Sequence, residues 1–64
     1  MTGKELKAIR DKLDWTQAEL AEELGISTTW LGQMERDTKP ITRITEYAVR
    51  WVAFQEGHSR RERA

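Results

Sequence analysis

Between Thr16 and Glu35 the sequence reads TQAELAEELGISTTWLGQME, a helical pattern that stops at Gly25 and resumes two residues later. Glycine takes a left-handed backbone at little cost and so ends helices. Ser27 is a helix-starting residue, because its side-chain oxygen can accept from a first-turn N–H. Ile26, just before it, is placed to pack onto Leu31. Stop and start signals stand side by side, which describes a sharp corner and not a flexible linker. Two helices joined this closely must cross at a steep angle. A chain of 64 residues that spends its middle on such a corner has few folds open to it.

The hydrophobic spacing on either side is helical, and nothing alternates like a strand. Helix 1 is expected from about Gly3 to Leu13, with Thr2 and Glu5 at capping-box spacing and Leu6, Ile9 and Leu13 on one face. Helix 2 is expected from about Gln17 to Leu24. Thr16 and Glu19 form a second capping box, and Trp15 is placed to staple onto Leu20. Leu20, Ala21 and Leu24 turn inward; Glu19, Glu22 and Glu23 turn mostly outward. Helix 3 is expected from Thr28 to about Arg36. At about 100° per residue it puts Trp30, Leu31 and Met34 on one side and Thr28, Thr29, Gly32, Gln33 and Arg36 on the other. The outer side is small and polar, with one positive charge. Pro40 then separates front from back. Helix 4 is expected from about Thr42 to about Gln55. Its apolar residues Ile44, Tyr47, Ala48, Trp51, Val52 and Phe54 cover a wider sector than a helix capping a small core needs. The division expected is a domain over residues 1–56 that ends in a dimerisation helix, and a flexible basic tail over residues 57–64.

Composition narrows the function classes. There is no cysteine, hence no disulfide framework and no thiolate metal site. Eleven basic residues balance eleven acidic ones, so electrostatics must depend on where charges lie, not on their sum. No apolar run is long enough for a membrane span. His58 stands alone, and no nucleophile–base set has a credible scaffold, so no catalysis, metal or cofactor is expected. A single core is only marginally sufficient at this size, which fits help from a partner subunit.

Two charges sit beside apolar stripes. Arg10 lies within one helical step of Leu6 and Leu13, and Glu35 lies beside Leu31. Packing helix 1 on helix 3 lets them satisfy each other; alternatively both reach out to water. Spacing alone leaves both arrangements open.

The motifs LKAIR at 6–10, TQAELA at 16–21, GIS at 25–27 and MER at 34–36 resemble the lambda repressor and Cro class of helix-turn-helix domains, also called the XRE family. The likeness runs from about Leu6 to Val52. It implies an all-α, compact domain of four to five helices, with helices 2 and 3 as the DNA-binding unit. It places Gln17 against the DNA backbone, and Thr28, Thr29 and Gln33 at base edges. It also implies an internal salt bridge between Arg10 and Glu35. Many members are homodimers that repress transcription. Asp37 stands where the family usually has glycine.

The major groove admits one helix if its outer face is slim. Gln33 can donate to and accept from an adenine edge; threonine methyl groups can touch a thymine methyl. Phosphates are expected at the helix N-termini, including Ser27 and Gln17, and at Arg36, Lys39 and Arg43. A second copy docked through Tyr47, Trp51 and Phe54 would let the pair read an inverted repeat in double-stranded DNA, with half-sites about 34 Å apart. The reading is a cytoplasmic, dimeric repressor of phage or mobile-element type, possible autoregulation included, with no small-molecule ligand or membrane partner. The alternative is an antitoxin- or adaptor-like module that uses the same fold to bind a protein.

Overall fold

The computed structural model describes residues 1–56 in full, together with the course of the last helix. Four helices follow in order: α1 (Gly3–Leu13), α2 (Gln17–Leu24), α3 (Thr28–Glu35) and α4 (Arg43–Arg63), with no strand among the described residues. α4 runs on past Gln55, because apolar spacing marks where a helix packs and not where it stops. Of the expected basic tail over 57–64, residues 57–63 fall within the course of α4 and Ala64 lies outside the described residues.

Local chemistry sets the helix ends. Thr2 and Glu5 close a reciprocal capping box on α1, and Thr16 and Glu19 close another on α2. Gly25 ends α2 in the left-handed region at φ 73°. Ser27 Oγ accepts the Trp30 N–H at 3.0 Å and opens α3. Thr42 Oγ1 accepts the Thr45 N–H at 3.2 Å at the head of α4. α1 ends at Asp14, which takes the left-handed region at φ 60°. Aspartate tolerates this conformation better than most residues, because its short side chain can bond locally.

Each helix contributes two residues to the buried core: Leu6 and Leu13, Leu20 and Ala21, Leu31 and Met34, Val49 and Val52. Ile9, Trp15, Leu24, Ile26 and Ile41 pack around that cluster. α3 packs on α1 and α2, while α4 closes the core against the same two helices. The α4 sector therefore divides in two. Val49 and Val52 face the core, whereas Ile44, Tyr47, Trp51 and Phe54 stay exposed on the other side.

Two expectations for α3 are corrected. Trp30, expected inward, is 44% exposed, because Leu31 and Met34 already fill the space between α1 and α2. Gly32, expected on the open face, is buried: the side chains of Gln17 and Arg36 lie across it. A Cβ there would meet Arg36 Nη1 at 3.5 Å and Gln17 Nε2 at 3.6 Å, which is ordinary contact. Space inside the protein does not require glycine at 32.

Space does require it at Gly3. A Cβ at this position would run into the carbonyl oxygens of Met34 and Glu35, since the start of α1 abuts the end of α3. The Gly3 N–H donates to Asp37 Oδ1 at 2.8 Å, with Asp37 itself at φ 60°. Asp37 thus does what a glycine does at the exit of α3, and its carboxylate also favours the positive end of α1. Gly3→Ala is expected to cost about 1–3 kcal/mol through forced backbone movement. Thermal unfolding followed by circular dichroism measures it, and an unchanged midpoint would show that the two helix ends can part without loss.

Candidate nucleic-acid interface

The corner between α2 and α3 is fixed by one polar network. Arg10 Nε donates to Glu35 Oε2 at 2.7 Å and Arg10 Nη2 donates to Glu35 Oε1 at 3.2 Å, a two-pronged pair between α1 and α3. Arg10 Nη1 donates to the Trp15 carbonyl at 2.9 Å, which ties in the α1–α2 turn. Gln17 Nε2 donates to Glu35 Oε1 at 3.0 Å and ties in α2. The pair is well sheltered, with side-chain exposures of 13% for Arg10 and 5% for Glu35. Burial pushes the Glu35 carboxyl up, but hydrogen bonds from Arg10 and Gln17, with the fields of Arg10 and Lys7, outweigh it. The carboxyl is held below its ordinary value. The hydrogen bond to Glu35 raises the Arg10 guanidinium further still, against the opposing effect of burial.

Three helices thus converge on one carboxylate, and the orientation of α3 relative to α2 is set there. Gln17 is committed on one side: an amide hydrogen goes to Glu35, and only what remains is free for an external group. Ser27 accepts from α3, and the first-turn N–H groups of Thr28 and Thr29 have no intrahelical acceptor.

The outward face of α3 is uncovered along most of its length. Ser27, Thr28, Thr29 and Arg36 are exposed, and Gln33 is half-buried. Gly32 drops out of that face, as described above. Lys39 and Arg43 lie beyond the end of α3; Arg43 is exposed, while Lys39 is half-buried over the Trp30 ring at 5.1 Å. Glu19, Glu22 and Glu23 are exposed along α2.

Comparison with protein families matches residues 6–45 to the helix-turn-helix family, more than half of the 64-residue chain. The chain is a lambda-repressor-like helix-turn-helix protein. It belongs to a family of DNA-binding regulators. Neither the curated proteins nor the solved structures gave a match. The matched span holds the whole α2–α3 corner of this helix-turn-helix protein, both residues of its Arg10–Glu35 pair, and Asp37 at its α3 exit. No helix among the described residues is long and apolar enough to cross a membrane.

Three features of the interface region escaped sequence reasoning. The Gln17–Glu35 bond joins residues 18 apart and has no local signature. The Lys39–Trp30 contact needs the path of the turn between them. The exit at Asp37 was open to inference, since a residue where the family has glycine must either take positive φ or reroute the chain.

Proposed function

We propose that the protein is a sequence-specific transcriptional repressor that acts as a homodimer on an inverted repeat, with α3 of each copy in the major groove. The observation that supports it best is the open face of α3. Thr28, Thr29 and Arg36 stand exposed on this helix surface, with Gln33 half-buried beside them. That surface is mounted on a carboxylate-centred network that fixes its direction. Thr28, Thr29 and Gln33 read base edges. Gln17, Ser27, Arg36, Lys39 and Arg43 hold phosphates, with the N-termini of α2 and α3 adding N–H donors. Zero formal net charge makes overall attraction to DNA weak, so recognition depends on this local arrangement.

One copy reads only a few base pairs. The exposed face of α4, formed by Ile44, Tyr47, Trp51 and Phe54, supplies the contact between two copies. The same face favours a second reading, an adaptor or antitoxin that binds a different protein. The two readings part in a selection from random duplex DNA. The repressor returns a short inverted repeat with half-sites about one helical turn apart; the adaptor returns no enriched motif.

On the selected site, Gln33→Ala is expected to relax the preference at one position per half-site, by about 1–3 kcal/mol. Affinities for duplexes altered one base at a time measure this. An unaltered preference at every position would remove Gln33 from the reading surface.

A further inference from the structure

Trp30 is the bulkiest side chain on α3, yet it stands outside the core cluster and is 44% exposed. At about 100° per residue it lies on the flank of the face that carries Thr29, Gln33 and Arg36. Lys39 Nζ sits 5.1 Å from its ring centroid, within the range of a cation–π contact.

The rest of Lys39 is held as well. Thr38, just before it, donates both its N–H and its hydroxyl to the Gln33 carbonyl, each at 2.9 Å. The Asp37 N–H donates to the Met34 carbonyl at 3.1 Å. Pro40 follows with its fixed φ, and Ile41 is anchored on the core. The Lys39 backbone is therefore pinned to the end of α3, and the ammonium rests on a ring that α3 itself carries.

The nature of this support matters. Arg10 is tied to Glu35 and Arg50 to Glu46, so each of those charges is offset by a carboxylate. No carboxylate pairs with Lys39 among the described residues. A ring quadrupole orients an ammonium without cancelling its charge. A lysine stem held in place also loses less freedom when it meets a phosphate.

We propose that Trp30 is the positioning residue for a phosphate contact made by Lys39: its ring holds the ammonium beside α3, where the DNA backbone passes when α3 occupies the groove. This rests on the DNA-binding reading above. Trp30 touches no base in this arrangement and acts through Lys39.

The test measures binding to a mixed-sequence duplex over a range of salt concentrations by fluorescence anisotropy. Wild type is compared with Trp30→Leu, Trp30→Phe, Lys39→Ala and the double variant Trp30→Leu/Lys39→Ala. Trp30→Leu is expected to weaken binding about two- to fivefold. Its salt slope should flatten toward that of Lys39→Ala, which loses up to about 0.9. Trp30→Phe should keep most of the affinity, and Trp30→Leu should add nothing once Lys39 is alanine. An equal loss from Trp30→Leu in the Lys39→Ala background overturns the proposal, as does wild-type affinity in Trp30→Leu. In the free protein, the Lys39 ε-protons should carry an upfield ring-current shift by NMR. Absence of that shift in wild type overturns the proposal without any variant. If the shift is present but wild type binds no duplex, the DNA-binding reading has failed, and the phosphate contact fails with it.

Discussion

Glu35→Ala is expected to destabilise the fold by about 3 kcal/mol, the lower end of what removing one partner of a buried pair costs. The lower end applies because Arg10 retains 13% side-chain exposure, so water reaches part of the guanidinium. The substitution removes the acceptor of Arg10 Nε, Arg10 Nη2 and Gln17 Nε2 together. What remains to Arg10 is the Trp15 carbonyl at 2.9 Å and Asp11 at 3.8 Å. A domain of this size has a total stability of only roughly 3–10 kcal/mol. Losing about 3 kcal/mol therefore removes between about a third and all of it. Urea unfolding followed by circular dichroism measures the loss. Glu35→Gln keeps an acceptor oxygen without the charge and should fall between. A loss under about 1 kcal/mol in Glu35→Ala would mean that Arg10 finds equivalent partners in solvent.

The same carboxylate gives the fold a pH dependence of known sign. Its folded pKa lies below the ordinary 4.5, so the folded state favours the charged form. The stability this contributes is present above that value and drains away as pH falls through the folded pKa. Glu46 shifts in the same direction, through bonds from the amino terminus and from Arg50, so the wild-type curve alone does not isolate Glu35. The difference between wild type and Glu35→Gln does. It should shrink as the medium is acidified below the ordinary carboxylate range, and a difference that stays flat would place the effect elsewhere.

Trp51→Ala is expected to raise the dissociation constant of the proposed homodimer about 30-fold or more. Ile44, Tyr47, Trp51 and Phe54 are 81%, 62%, 58% and 59% exposed, and they recur at steps of three, four and three. That spacing is the seam of paired helices. The rings of Trp51 and Phe54 stack at 6.1 Å with 20° between planes, so they offer one continuous slab. In a twofold pair each substitution acts twice, because the same patch faces itself. Trp51 lies opposite the core-facing Val49 and Val52, so the monomer should keep its fold. Sedimentation equilibrium reads the change in association, and circular dichroism checks the fold. A dimer of unchanged strength would move the contact to another surface. The consequence for DNA follows: binding to an inverted repeat should fall far more than binding to a lone half-site.

The local elements of the fold were legible because their signals lie within a few residues of each other. Thr2 with Glu5, Thr16 with Glu19, and Gly25 with Ser27 each act through the backbone of a single turn, and the starts of α1, α2 and α3 and the end of α2 fall where those residues predict. Apolar spacing found Leu6, Leu13, Leu20, Leu31 and Met34 for the core. It did not include Val49, and it could not say which part of the wide α4 sector would turn inward. Both halves of that sector are apolar at helical spacing, so only the position of α1 and α2 chooses between them. Trp30 failed for a related reason. It is apolar, and periodicity placed it inside, but Leu31 and Met34 had already filled the available volume.

The sequence by itself determined four helices, the caps that open α1, α2 and α3, the abrupt corner between α2 and α3, and a small polar surface on α3, because each is a matter of short-range backbone chemistry and period. Tertiary structure decided the rest. It settled that Arg10 and Glu35 meet where spacing allowed them to part, and it drew Gln17 into their network and laid it over Gly32. It brought Gly3 against the end of α3, set Lys39 on Trp30 and left Ile44, Tyr47, Trp51 and Phe54 of α4 exposed. Those outcomes depend on which surfaces arrive next to each other once the core closes, and no local pattern encodes that.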